Sequence, residues 1–129
     1  MRNYTETKST FRSEDYMEYR IQFDKHEDDK ESVLLVIDKC PDGCMPIWVK
    51  HGYFKKAFAW WNVTVYATDK DGNCWGRYNP QEKLHIRKND KGEIIEHRNV
   101  VNFDWVLPAT EENKQKIIAE VSRLAFKEA

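Results

Sequence analysis

Residues 57–79 run AFAWWNVTVYATDKDGNCWGRYN, and their alternation predicts a β-hairpin. Side chains along a strand point to opposite faces in turn. Ala57, Ala59, Trp61, Val63, Val65 and Ala67 fall on one face, which is almost wholly apolar. Phe58, Trp60, Asn62, Thr64, Tyr66 and Thr68 fall on the other, which mixes aromatic and hydrogen-bonding groups. Asp69-Lys70-Asp71-Gly72 has the composition of a tight turn, with Gly72 free to take a positive φ. If Thr68 is set opposite Asn73, Tyr66 opposes Trp75 and Thr64 opposes Arg77. Cross-strand partners share a face, so Trp60, Asn62, Tyr66, Trp75, Arg77 and Asn79 collect on one side. Trp61, Val63, Val65, Cys74 and Tyr78 collect on the other. A slip of one residue would send every residue of the second strand to the opposite face.

Working outward, Met17, Tyr19, Ile21 and Phe23 alternate with Glu18, Arg20, Gln22 and Asp24, the pattern of a half-buried strand. Residues 1–15 are polar and lack this periodicity, so they are expected to be a flexible arm ahead of a single domain over 16–129. Val33–Ile37 (VLLVI) is continuously apolar and suits a central strand covered on both faces. DKCPDGCMP, residues 38–46, is dense in turn residues, and Ile47-Trp48-Val49 is a short strand candidate. Beyond Pro80, Leu84 and Ile86 alternate with His85 and Arg87. A turn at Asn89-Asp90-Lys91-Gly92 and a return through Ile94–His97 predict a second hairpin. A further strand is expected with Val101, Phe103, Trp105 and Leu107 on one face, ended by Pro108.

Thr110 is placed to cap a helix whose first turn carries Glu111 and Glu112. Ile117, Ile118, Val121, Leu124 and Ala125 repeat at helical spacing, Glu112 and Lys116 form an i,i+4 pair, and Lys127 suits the negative end of the helix dipole. The expected fold class is α+β: an antiparallel sheet of about seven strands covered or capped by one C-terminal helix. This order looks like that of pleckstrin-homology-like domains, and the ending from Phe103 to Phe126 is similar to their last strand and capping helix. The resemblance, one of architecture, implies a sheet curled into a partial barrel and carries no function with it.

Composition narrows the function classes. Aromatic residues make up 13% and charged residues 33% of the 129-residue chain, which suits a packed core under a charged surface. A net charge of −1 supplies no global attraction to nucleic acid or anionic membrane. No apolar run approaches a membrane span and no hydrophobic segment follows Met1-Arg2-Asn3-Tyr4, so a cytoplasmic setting with reduced thiols is expected.

Cys40, Cys44, His51 and Cys74 are the residue types of a tetrahedral Cys₃His metal site, but three residues rather than two separate Cys40 from Cys44 and no second pair follows. Cys74 is expected to point into the core as a small hydrophobe. A Cys–His nucleophile would need a positioned base and an orienting group, for which no local sequence speaks. No cofactor is expected.

The aromatic–Arg face carries the functional expectation. Trp60, Asn62, Tyr66, Trp75 and Arg77, extended by His85 and Arg87 of the second hairpin, have the chemistry of a protein hot spot. They equally suit stacking of single-stranded bases. The competing structural reading has the C-terminal helix packed on these aromatics. The chain is therefore expected to be a small binding module for a protein partner, acting through this face or a sheet edge. The alternatives are a weak single-stranded nucleic-acid binder using the same face and an enzyme with a Cys/His site. Homodimerisation by edge pairing of Val33–Ile37 or Ile47–Val49 is a further expectation, since neither segment carries edge protection.

Overall fold

The structure, a computed structural model, describes residues 1–11, 16–40, 59–69 and 71–127. Among the described residues seven strands precede one α-helix: β1 Tyr4–Phe11, β2 Tyr16–Phe23, β3 Ser32–Cys40, β4 Trp60–Thr68, β5 Cys74–Tyr78, β6 Glu82–Lys88, β7 Ile94–Val101 and α1 Glu111–Ala125. β1 to β5 form one antiparallel sheet in sequence order, while β6 and β7 form a two-stranded sheet of their own. The α+β class is as expected. No ladder among the described residues joins the two sheets into a barrel.

The core follows from alternation. β3 lies between β2 and β4, with Ile21 opposite Leu35 opposite Val65, and Tyr19 opposite Ile37 opposite Val63. These odd-numbered residues face α1, which buries Ile117, Ile118 and Val121 against Ile21, Phe23, Leu35, Ile37, Trp61 and Val63. Trp61 fixes the helix start: its Nε1 donates to the Thr110 carbonyl at 2.9 Å, and its ring meets Tyr19 edge-on at 5.7 Å. Thr110 caps α1 by accepting from the Asn113 amide at 3.2 Å, and Lys116 reaches Glu112 at 3.4 Å, both as expected. The helix ends at Ala125, and Lys127 lies beyond it with φ of 51°, so Arg123 is the base in the last turn.

The expected flexible arm is instead, over residues 4–11, the edge strand β1. An edge strand needs a ladder and does not need an apolar face. Tyr4 packs edge-on against Phe23 at 6.2 Å, and Glu6 takes the place of a core residue by binding Lys114 Nζ at 2.8 Å. Lys114 is 3% exposed, lies 4.0 Å from the centre of the Tyr19 ring and also meets Glu111 at 3.3 Å. Arg2 closes the other end, stacked 3.9 Å over Phe126 and paired with Asp29 at 2.5 Å.

Two further expectations are corrected. β7 runs without a break from Ile94 to Val101, and Phe103–Trp105 is a 3₁₀ turn rather than part of a strand. Asn102 redirects the chain: its amide donates to the Gln81 carbonyl, its side chain to the Pro80 carbonyl, and its own carbonyl accepts from Trp105 N. The chain then returns to the sheet, where Pro108 bridges Trp60 and Trp61 N donates to the Leu107 carbonyl. β3 is interior, so Val33–Ile37 offers no free edge for dimerisation. Ile47–Val49 lies outside the described residues.

Candidate functional site

Even-numbered residues of β2, β3 and β4 face away from α1, and the register sets them in rows. Glu18, Asp38 and Asn62 form one row, Arg20, Val36 and Thr64 the next, and Gln22, Leu34, Tyr66 and Arg77 a third. Ser32, Thr68 and Cys74 form the row nearest the β4–β5 turn, with the Ser32 and Thr68 hydroxyls hydrogen-bonded to each other. The helix thus covers the all-apolar face of the hairpin, and the mixed face lies opposite.

The charges on this face are organised. Arg20 Nε donates to Glu18 Oε1 at 2.6 Å, and that carboxylate holds the guanidinium pKa above its usual value. The Asp38 carboxyl is pushed up to about 6, first by burial and then by the neighbouring Glu18 charge, with Asn62 pulling the other way through a hydrogen bond. About 13 Å further along β4 at strand rise, Tyr66 is half-buried and Arg77 exposed, the guanidinium 6.0 Å from the ring centre. Tyr66 and Arg77 are direct partners, two positions away from the expected pairing. Closure of the loop at Asp69–Asn73 accounts for one position, and a bulge between the Ala67–Gly76 and Thr68–Cys74 pairs, with Trp75 inserted, accounts for the other. Arg77 keeps its expected face because the slip is even.

The expected residues do not all converge. Trp60 is on this face but only 5% exposed, paired with Cys40 and bridged to Pro108, so it offers no ring to a ligand. The side chain of Trp75 lies outside the described residues. His85 and Arg87 are exposed on β6, in the other sheet, with Arg87 3.8 Å from Glu96, and they do not continue the rows. Asn62, Tyr66 and Arg77 remain as the accessible part of the expected site.

The register also settles the described thiols. Cys40 pairs with Trp60 and Cys74 with Thr68, eight positions apart on β4, so about 26 Å at strand rise separates them. They cannot bind one metal ion. Cys44 and His51 lie outside the described residues, and no group of three metal-binding side chains occurs among the described ones. Cys74 is exposed rather than in the core, because the loop closes at Asp69–Asn73 and sets Cys74 opposite Thr68 on the outer face, and its Sγ donates to the Gly76 carbonyl.

Sequence reasoning missed a groove on the helix side. Val65, Tyr78, Trp105, Val121, Leu124 and Ala125 line a space of about 190 Å³, with Tyr78 and Leu124 half in solvent. A second hollow, of about 540 Å³, lies on the other side of Trp105 beside Leu107 and Ile117. The signal was present: the apolar stripe of α1 runs on through Leu124 and Ala125, past the last residue the core buries. Comparison with protein-family models, curated proteins and solved structures finds no match. Among the described residues no helix is long and apolar enough to cross a membrane.

Proposed function

We propose that this chain is a cytoplasmic protein-binding module that engages its partner through the outer face of the five-stranded sheet. The observation that carries this reading is the face itself: Tyr66 and Arg77 stand at one end, and the Glu18, Asp38 and Asn62 row stands at the other. Tyr and Arg supply contact area and a planar charge, the combination enriched at protein hot spots. Carboxylates in the same face repel a phosphate backbone, and the net charge of −1 adds no compensating attraction. The partner that fits is a folded protein surface with a carboxylate for Arg77 and, about 13 Å away, hydrogen-bond donors for Asp38 and Asn62.

The test is affinity capture from a lysate of the source cell, with and without nuclease, using the wild type and Arg77→Glu. Arg77 is exposed, so the substitution should leave the circular dichroism spectrum unchanged. A discrete protein that survives nuclease and is lost with Arg77→Glu supports the reading. Recovery of nucleic acid alone, or equal capture by both forms, overturns it.

A further inference from the structure

Arg2, Tyr4 and Glu6 alternate along the segment that enters β1, and each meets a receptor group of its own. Arg2 stacks over Phe126 and pairs with Asp29, Tyr4 packs edge-on against Phe23, and Glu6 binds Lys114. Backbone contacts fix the register. β1 pairs with β2 from Tyr4–Phe23 to Phe11–Tyr16, the Asp24 amide donates to the Asn3 carbonyl at 2.8 Å, and the Arg2 amide donates to the buried Ser122 Oγ at 3.0 Å. The receptor groups come from β2, from the connection between β2 and β3, and from α1 with its cap.

The core stands without β1. Among the described residues the buried core contains none of its side chains: Tyr4 packs at the margin, and Thr5, Glu6, Thr7, Lys8 and Ser9 are exposed. With β1 gone, Ile21 and Phe23 would keep their packing on α1, and β2 its ladder with β3. An edge strand with so little buried apolar surface opens at a lower cost than the whole fold. Lys114 is the group that its departure leaves behind. It is 3% exposed, and loss of Glu6 leaves it, among the described residues, the Tyr19 ring and the mostly exposed Glu111. A buried ammonium in that position favours a carboxylate in the vacated place. We propose that the β2 edge with Lys114, Phe23, Phe126 and Asp29 is a strand-binding site in its own right. β1 fills it in the closed chain, and an extended segment of a partner protein reading basic–x–aromatic–x–acidic displaces β1 and takes its place. The added strand gains the same backbone ladder, and the alternate side chains set the specificity. This inference does not rest on the outer-face reading, since it uses the opposite side of the sheet and its first edge.

Fluorescence anisotropy with a labelled peptide of residues 2–11, RNYTETKSTF, tests it on the full chain. The chain's own β1 competes, so the wild type should bind the peptide weakly. Glu6→Gln in the chain loosens that competitor and should strengthen binding at least about tenfold. On this variant chain, a peptide that itself carries Glu6→Gln should bind at least about tenfold more weakly than the original. Equal binding by the wild-type and Glu6→Gln chains, or of the two peptides on the Glu6→Gln chain, overturns the proposal. Both arms change only the exposed Glu6, so they stand whether or not a Lys114 variant folds. In a folded Lys114→Met chain the two peptides should bind alike, and a persisting preference for Glu overturns the assignment to Lys114. Sedimentation should find the wild type monomeric. A wild-type dimer that the peptide disperses also overturns the proposal, because a second copy's β1 would then fill the site.

Discussion

The two hairpins of this molecule are built alike and end differently. β4–β5 turns through Asp69–Asn73 and β6–β7 through Asn89–Glu93. In each loop the first residue's side-chain Oδ1 accepts two backbone amides, Asp71 and Asn73 in one and Lys91 and Glu93 in the other. In each the fourth residue is a glycine in the left-handed region, Gly72 at φ of 83° and Gly92 at 80°. Each is followed by a bulge, at Trp75 and at Ile95. Turn chemistry therefore makes a hairpin in both places, and side chains decide what becomes of it. β4 brings Trp61 and Val63, which α1 buries, and it becomes part of the main sheet. β6 and β7 bring Ile86, Ile94 and Ile95, each about half exposed, and among the described residues they pair only with each other.

The largest expected contrast is between truncations on the two hairpins. Trp61→Ala removes a ring packed on Tyr19 and a hydrogen bond to Thr110, and should cost about 3–5 kcal/mol in chemical denaturation. Ile94→Ala, at an exposed position, should cost less than about 0.5 kcal/mol. Equal costs would break the comparison. Next comes the joint between the hairpins. Gln81 is 2% exposed and donates to the Trp61 carbonyl at 2.7 Å and the Trp105 carbonyl at 3.3 Å. Gln81→Ala leaves those carbonyls short of a donor and should cost about 1–3 kcal/mol.

A pH response of smaller size belongs to the five-stranded sheet alone. Asp38 titrates near 6 in the fold against an ordinary 3.8, so the folded state holds its proton more tightly than the unfolded chain. Its contribution is fully favourable below pH 3.8 and is lost as pH rises through about 6. With solvent screening of a half-buried group the loss is about 1–2 kcal/mol. Asp38→Asn should remove this slope and raise stability at pH 8 by about 1 kcal/mol, read from urea midpoints across pH. The smallest contrast is between the turn glycines. Gly72→Ala and Gly92→Ala carry the same local strain, about 1 kcal/mol. Gly72→Ala should lower the global denaturation midpoint, while Gly92→Ala should speed only local opening of β6–β7.

Much of this architecture is legible in the sequence, for physical reasons. Period-2 alternation through Met17–Phe23 and Ala57–Ala67, and the Thr110 cap before a helical stripe, each point to one structure because one face of each element must be buried. β1 is not legible that way: its inward Glu6 is satisfied by Lys114, a partner 108 residues away that no local pattern reveals. Lys114 itself sits in the helical stripe with Ile117, Ile118 and Val121, a position that could have marked it as buried. The mixed face of β4 was assigned correctly, but its aromatic content overstated the site. Trp60 is covered where the chain around Pro108 returns to the sheet. The β4–β5 register was missed by two positions because Asp69 bonds to Asn73 across a five-residue loop and a bulge follows.

Amide hydrogen exchange tests the contrast between the hairpins most directly. The cross-strand amides of β6–β7 should exchange through local opening, far faster than those of β3–β4, which should open only with global unfolding. Equal protection of both regions would contradict the account, because the second hairpin would then belong to the same core as the first.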